Sequence, residues 1–144
     1  MTRAVRFDDL DALAEVKAAG FGPWGPQVVV DAELVAAYRA IAGAHPLDRE
    51  VPGFLIASLL PRLAPPNDWR IEGHTSVINM GCPRIRFPAP TPIGARLRAR
   101  SRIADVRAHA RGTVVTLEFE VRAEDSGTDA LDCTIELLYV GARA

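Results

Sequence analysis

Three runs of strict two-residue alternation fill the second half of the chain and sharply restrict its possible folds. Leu97, Ala99, Ser101 and Ile103 oppose Arg96, Arg98, Arg100 and Arg102. Val115, Leu117, Phe119 and Val121 oppose Thr116, Glu118 and Glu120, and Cys133, Ile135, Leu137 and Tyr139 repeat the pattern. Successive side chains of a strand point to opposite faces, so each run reads as a half-buried strand with one apolar face. Ala110-Arg111-Gly112 and Asp125-Ser126-Gly127 read as hairpin turns, which makes the second half an antiparallel meander. The arginine row could hold an anionic ligand, but a solvated outer face is the plainer reading. A greasy sheet face needs a cover, and the first half of the chain must supply it.

The best cover is the apolar run Val51-Pro52-Gly53-Phe54-Leu55-Ile56-Ala57-Ser58-Leu59-Leu60, which reads as a buried helix over about residues 53–63. Pro52 pins its start, and Gly53, lacking a side chain, lets a ligand approach the first turn. The first amides of a helix have no internal partner and sit at its positive end, which suits a carbonyl oxygen gaining negative charge. A core helix with Pro-Gly as a mere turn is the competing reading.

Upstream, Leu10 to Ala19 is helix-friendly, and Gly20-Phe21-Gly22-Pro23-Trp24-Gly25-Pro26 reads as a surface-crossing loop anchored by Phe21 and Trp24. Gln27 to Val30 is a short strand. Asp31 then caps a helix that runs to about Ile41, with Leu34, Val35, Tyr38 and Ile41 on one face, and Gly43 stops it. A polar link, Ala44 to Glu50, leads into the central helix. The segment Val77 to Pro83 alternates poorly, as expected of a strand covered on both faces.

At 144 residues with a net charge of −1, the chain suits a single domain over 1–144 and gives no reason to expect nucleic acid or an anionic membrane as partner. Charged residues crowd the N-terminus and no run could cross a bilayer, so a cytoplasmic protein is expected. Cys82 and Cys133 read as buried, reduced thiols. No metal-ligand spacing or phosphate-binding glycine loop is present, so neither metal nor cofactor is expected. A sheet with one covering helix still has open edges, and pairing two sheets edge to edge would close them, so an oligomer is expected.

The stretch from Ile78-Asn79-Met80-Gly81-Cys82-Pro83-Arg84-Ile85-Arg86-Phe87 through Pro88-Ala89-Pro90-Thr91-Pro92-Ile93-Gly94 to Ala95-Arg96-Leu97-Arg98 resembles the Asn-x-Gly, Arg-Phe-x-x-Pro and Gly-x-x-Leu-Arg pattern of MaoC-like and NodN-like dehydratases. Phe7-Asp8-Asp9-Leu10, the Gly22-Pro23-Trp24 turn, the capped helix and Gly53 to Leu60 follow in that family's order, so the resemblance spans nearly the whole chain. It implies an α+β hot-dog fold, an antiparallel sheet wrapped around a central helix. It also implies hydration of enoyl thioesters, or dehydration of (3R)-3-hydroxyacyl thioesters, carried on coenzyme A or an acyl carrier protein.

The family's catalytic pattern, an Asp then Asn-Pro-x-His before the helix and His-Gly at its start, is not preserved. Here the link reads Gly43-Ala44-His45-Pro46-Leu47-Asp48, and Pro52-Gly53 opens the helix. His45 precedes Pro-Gly at nearly the spacing of the catalytic His in another hot-dog family, the fatty-acid type of 3-hydroxyacyl carrier-protein dehydratase. An imidazole can take the proton alpha to a thioester and return it to the departing hydroxyl. By that resemblance His45 is the candidate base and Asp48 its supporting carboxylate, with the Gly53 amide facing the enolate oxygen. His45 as a surface turn residue and Asp48 as a solvent-facing cap are the competing readings.

Phe54, Ser58, Asn79 and Tyr38 are candidate substrate contacts, and Phe54, Leu55 and Leu59 are expected along an acyl tunnel. His74 reads as an exposed edge residue and His109 as a solvated turn residue. Three functions stay open: an active hydro-lyase; a non-catalytic hot-dog subunit paired with a second, catalytic MaoC-like chain; and a hot-dog enzyme of replaced chemistry, such as a thioesterase or cyclase. The partners implied are acyl-CoA or acyl carrier protein and a second hot-dog chain, as homodimer or heterodimer, in a fatty-acid, polyketide or other biosynthetic pathway.

Overall fold

The computed structural model describes residues 1–45 and 49–144. The alternating runs form β5 (Ala95–His109), β6 (Gly112–Ala123) and β7 (Thr128–Val140). With β2 (Val28–Val30) and β4 (Ser76–Arg86) they make a five-stranded sheet in the order β2-β5-β6-β7-β4. Every pairing in it is antiparallel. The register keeps Ala99, Val121 and Leu131 in one cross-strand row and Arg100, Glu120 and Asp132 in the next, so apolar and charged side chains take opposite faces.

Two helical turns cover the apolar face, α3 (Gly53–Ser58) and α4 (Leu60–Leu63). The single helix expected over 53–63 breaks at Leu59 because Pro61 has no N–H for the Ala57 carbonyl, and the chain restarts with Arg62 and Leu63 bonding to Leu59 O at 2.9 Å each. Leu55, Ile56, Leu59, Leu60 and Leu63 are buried against Leu97, Ala99, Val121, Leu131 and Cys133. Each such aliphatic side chain contributes roughly 1.5–3 kcal/mol by leaving water. The helix α2 (Ala32–Ala42) begins as its sequence implies, with Asp31 Oδ1 accepting from Leu34 N at 2.9 Å, and ends on Gly43 at φ 86°.

A second core sits under the far ends of β5 and β6. There α1 (Leu10–Ala18) packs Leu13 and Val16 on Ile103 and Val115, beside a small parallel ribbon of β1 (Arg3–Arg6) and β3 (Trp69–Glu72). The alternation of four residues in β1 is too short to have announced that strand.

Four expectations need correction. The second half is not a simple meander: β4 pairs with β7, and only β5, β6 and β7 follow in order. The connection from β4 to β5 holds Pro88, Pro90 and Pro92, which favour extended backbone over a tight hairpin, so it crosses to the other side of the sheet. Nor is β4 covered on both faces. From Ser76 to Pro83 it is exposed throughout, at the sheet edge, and carries Val77, Ile78 and Met80 into solvent. Cys82 is accordingly exposed and only Cys133 is buried. His74 is half-buried, edge-on to Tyr139 with ring centroids 5.0 Å apart, rather than a free edge residue.

The arginine row is neither a bare solvated face nor an anion site. Arg100 bridges Glu120 and Arg102 bridges Glu118, both at 2.7 Å. Phe21 lies over both guanidiniums at 4.3 and 4.6 Å, and Trp24 over Arg100 at 4.7 Å. The Gly20 to Pro26 loop is thus anchored as expected, by cation–π stacking on the outer face. Among the described residues no helix is long and apolar enough to cross a membrane, and no group of His, Cys, Asp and Glu could hold a metal ion.

Candidate functional site

Among the cavities bordering the central helix, one lies at its start and one along its second half. At the start, Val51 N donates to Thr91 O at 2.9 Å, tying the helix to the proline-rich crossover. The resulting hollow of about 370 Å³ is lined by Glu50, Gly53, Ile56, Phe87 and Thr91, among others. Gly53 leaves room for the Phe87 ring here: a Cβ on it would stand 2.6 Å from Phe87 Cε1. Leu55 N bonds to Pro52 O at 3.0 Å, whereas the Gly53 and Phe54 amides have no helical acceptor, being the first two of the helix. Gly53 therefore lines an accessible hollow, with a main-chain donor beside it.

Along the second half runs a cleft of about 630 Å³, within the range of small-molecule sites. Its helix wall is Ala57, Ser58, Leu60 and Pro61, and its sheet wall is Ser101, Leu117, Phe119 and Ile135. The sheet residues share the inner face through the pairs Ser101 with Phe119 and Leu117 with Ile135. Among the described residues, no ionisable side chain lines this cleft. A hydrocarbon chain gains by entering it, and a charged group loses its hydration there.

The sequence candidates are distributed unevenly over these two places. Ser58 lines the cleft, with its hydroxyl donating to Phe54 O at 2.7 Å, so its proton is committed to its own helix and its lone pairs remain. Phe54 is exposed and meets Phe87 edge to face at 5.7 Å, outside the cleft. Leu55 and Leu59 are core residues rather than tunnel walls. Tyr38 is half-buried against the main core. Asn79 accepts from Gly81 N at 3.0 Å, holding the bulge of β4, and lines neither cavity. His45 is exposed just beyond α2, and Asp48 lies outside the described residues.

Ser101, Leu117, Phe119 and Ile135 were not singled out from the sequence as site residues. The available signal was the run Leu97, Ala99, Ser101, Ile103, where two small side chains interrupt a bulky inner face. Small inner residues beside half-buried apolar ones leave room that a packed core would fill.

A sheet curled around a short central helix in this order is the hot-dog fold, and solved structures agree. The chain matches a MaoC-like dehydratase from Rhodospirillum rubrum with a TM-score of 0.62 and 16% identity, over 84% of this chain and 91% of that one. A chain of the ChsH1–ChsH2 complex from Mycobacterium tuberculosis matches with a TM-score of 0.67 and 12% identity, over 94% of this chain and 92% of that one. No protein-family model matches the chain. A curated relative, 3-hydroxyacyl-thioester dehydratase Z of Mycobacterium tuberculosis, is 39% identical over 89 residues. That stretch is 61% of this chain and 58% of the relative, under two thirds of the relative's own length. The chain thus has the hot-dog fold, and over part of its length it is similar in sequence to a 3-hydroxyacyl-thioester dehydratase.

Proposed function

We propose that the protein is an acyl-thioester hydratase or dehydratase, acting on enoyl or (3R)-3-hydroxyacyl thioesters of coenzyme A or an acyl carrier protein in the cytoplasm. The observation that carries this reading is the uncharged cleft along the central helix. It occurs in a chain 39% identical, over 89 residues, to a 3-hydroxyacyl-thioester dehydratase. The acyl chain would lie in the cleft, and the thioester carbonyl would sit near the Gly53 amide.

In the dehydration direction a base takes the proton alpha to the thioester carbonyl, and the electron pair moves into an enolate. The enolate oxygen accepts hydrogen bonds from main-chain donors. The beta hydroxyl then leaves as water, with a proton returned by the same or a second group, and the carbon–carbon double bond forms. On this reading His45 is the base and Asp48 orients it or protonates the hydroxyl.

A second reading is favoured by one observation. Where the family's Asp belongs stands Gly43, a helix cap at φ 86° with open space around it. A subunit without that carboxylate could shape the acyl tunnel while a catalytic MaoC-like partner does the chemistry. The fold likeness to a chain of the ChsH1–ChsH2 complex supports this arrangement. In either reading the exposed edge of β4 pairs with a second hot-dog chain, because an apolar strand edge left open invites association.

The test is to incubate the purified protein with crotonyl-CoA and follow loss of the enoyl absorbance, for the wild type and His45→Ala. Turnover by the wild type that falls at least about a hundredfold in the variant supports the reading, in line with removal of a general base. Turnover unchanged by the substitution removes His45 from the mechanism. No turnover by the chain alone, with turnover restored by a MaoC-like partner, supports the subunit reading instead.

A further inference from the structure

We infer that Glu50 is a further catalytic residue, the carboxylate that takes a proton from the attacking water in hydration and returns it to the departing hydroxyl in dehydration. The inference rests on the acyl-thioester reading above, in which His45 handles the proton alpha to the thioester, and adds a second acid–base group to it.

Adding water at the beta carbon, or expelling it, needs a group that can hold the proton of that water. Among the described residues, no ionisable side chain lines the cleft along the central helix, and Glu50 alone of that kind lines the hollow at the helix start. Its place in the chain is held from both sides. Arg39 Nη2 donates to Glu50 O at 3.3 Å, and the next amide, Val51 N, donates to Thr91 O at 2.9 Å. Pro52 then sets the turn into Gly53, so the carboxylate and the Gly53 main chain border one hollow.

The carboxylate is also open. On the outer face Glu118, Glu120 and Asp132 are each bound by an arginine at 2.7 Å. Among the described residues, no hydrogen bond or ion pair engages the Glu50 side chain. A guanidinium beside a carboxylate favours its charged form and weakens it as a base, whereas an open one keeps its lone pairs for water. The hollow of about 370 Å³ leaves room for that water beside an acyl group, since a water takes up about 30 Å³ in the liquid.

In hydration, one O–H bond of the water breaks toward Glu50 as the oxygen bonds to the beta carbon. The electron pair of the double bond moves to the alpha carbon through the enolate, and that carbon takes a proton from the imidazolium of His45. The proton on Glu50 then passes through solvent to the neutral imidazole, which restores both groups. Glu50 so supplies the carboxylate that Gly43 cannot.

The test compares hydration of crotonyl-CoA by wild type, Glu50→Gln and Glu50→Asp, together with exchange of the alpha protons of butyryl-CoA in deuterium oxide. Butyryl-CoA offers no double bond to water, so its exchange uses the base at the alpha carbon and not Glu50. Glu50→Gln is expected to lower kcat at least about a hundredfold, the scale of a lost acid–base group, with KM within about threefold and the exchange retained. Glu50→Asp is expected to regain part of the rate.

If Glu50→Gln hydrates within about threefold of wild type, the assignment is overturned and the acyl-thioester reading stands. If both variants lose hydration and exchange together, Glu50 is a structural residue and the assignment is likewise overturned. Should the wild type turn over only beside a MaoC-like partner, the same variants decide in that complex by the same readouts. No turnover in either setting overturns the acyl-thioester reading, and this assignment with it.

Discussion

Gly53 and Phe87 meet at the start of the central helix: the Phe87 ring occupies the space a side chain on residue 53 would need, 2.6 Å from its Cβ position. Phe87 is 40% exposed, so its ring can turn aside at small cost. Gly53→Ala is therefore expected to leave the fold intact, with a stability change within about 1 kcal/mol. Activity should fall about tenfold or more, because the displaced ring enters the hollow that it and Gly53 both line. A cycle with Phe87→Ala checks the mechanism: the double variant should recover part of the lost rate.

Gly25 answers to backbone rather than to a movable ring. A Cβ there would collide with the Leu63 carbonyl oxygen and stand 2.8 Å from Pro65 Cδ, at the end of the central helix. Neither neighbour can step aside without moving the helix end or the proline turn. Gly25→Ala should cost about 1–3 kcal/mol by overpacking. The check is a lower urea midpoint at an unchanged slope.

The acid side of the stability profile should depend on two aspartates. The Arg6 guanidinium, and after it the Ala144 main-chain amide, hold the Asp8 carboxyl down at about 2. Burial pushes the Asp132 carboxyl up, yet hydrogen bonds from Arg86 and Arg84 outweigh it and leave the group below its ordinary value. Both carboxyls thus titrate lower in the folded chain than in the unfolded one. Their contribution is present above the unfolded value of about 3.9 and is lost as the pH falls through it toward the folded value. In Asp8→Asn, the drop in urea midpoint between about pH 4 and pH 2 should be shallower than in the wild type. An unchanged drop would remove the Arg6 pair from acid stability.

Much of this architecture was legible because periodicity is a local signal. The inner row from Leu97 to Ile103, the Asp31 cap and the Gly43 stop each appear where their residues imply, since strand alternation and capping depend on neighbours a few positions away. The hot-dog fold was legible from the resemblance carried by the Ile78 to Arg98 pattern. The environment of β4 was not, because being an edge is a property of sheet order, which rests on pairings between strands far apart in the sequence. The cleft was least legible. Its walls come from Ala57 and Ser58 on one element and Phe119 and Ile135 on two others, and no short window of sequence holds them together.

The open edge of β4 should show itself in assembly. Val77 is 43%, Ile78 38% and Met80 46% exposed, on a stretch from Ser76 to Cys82 that bears no charge. Two such edges can meet without repulsion. Sedimentation of the wild type at micromolar concentration is expected to report a dimer. Met80→Lys should shift it to monomer while the far-ultraviolet circular dichroism is retained, since edge lysines oppose pairing. A wild-type monomer that stays monomeric with a MaoC-like partner would contradict the edge pairing.

Whether an acyl group lies along the central helix is read most directly by light-driven cross-linking with a thioester that carries a diazirine in its acyl chain, followed by mapping of the labelled peptides. Label concentrated on Ala57 to Pro61 and on Leu117 or Phe119, and competed away by an unlabelled acyl thioester, is the expected result. Label confined to the arginine-bearing outer face, or no label that competitor removes, would contradict it.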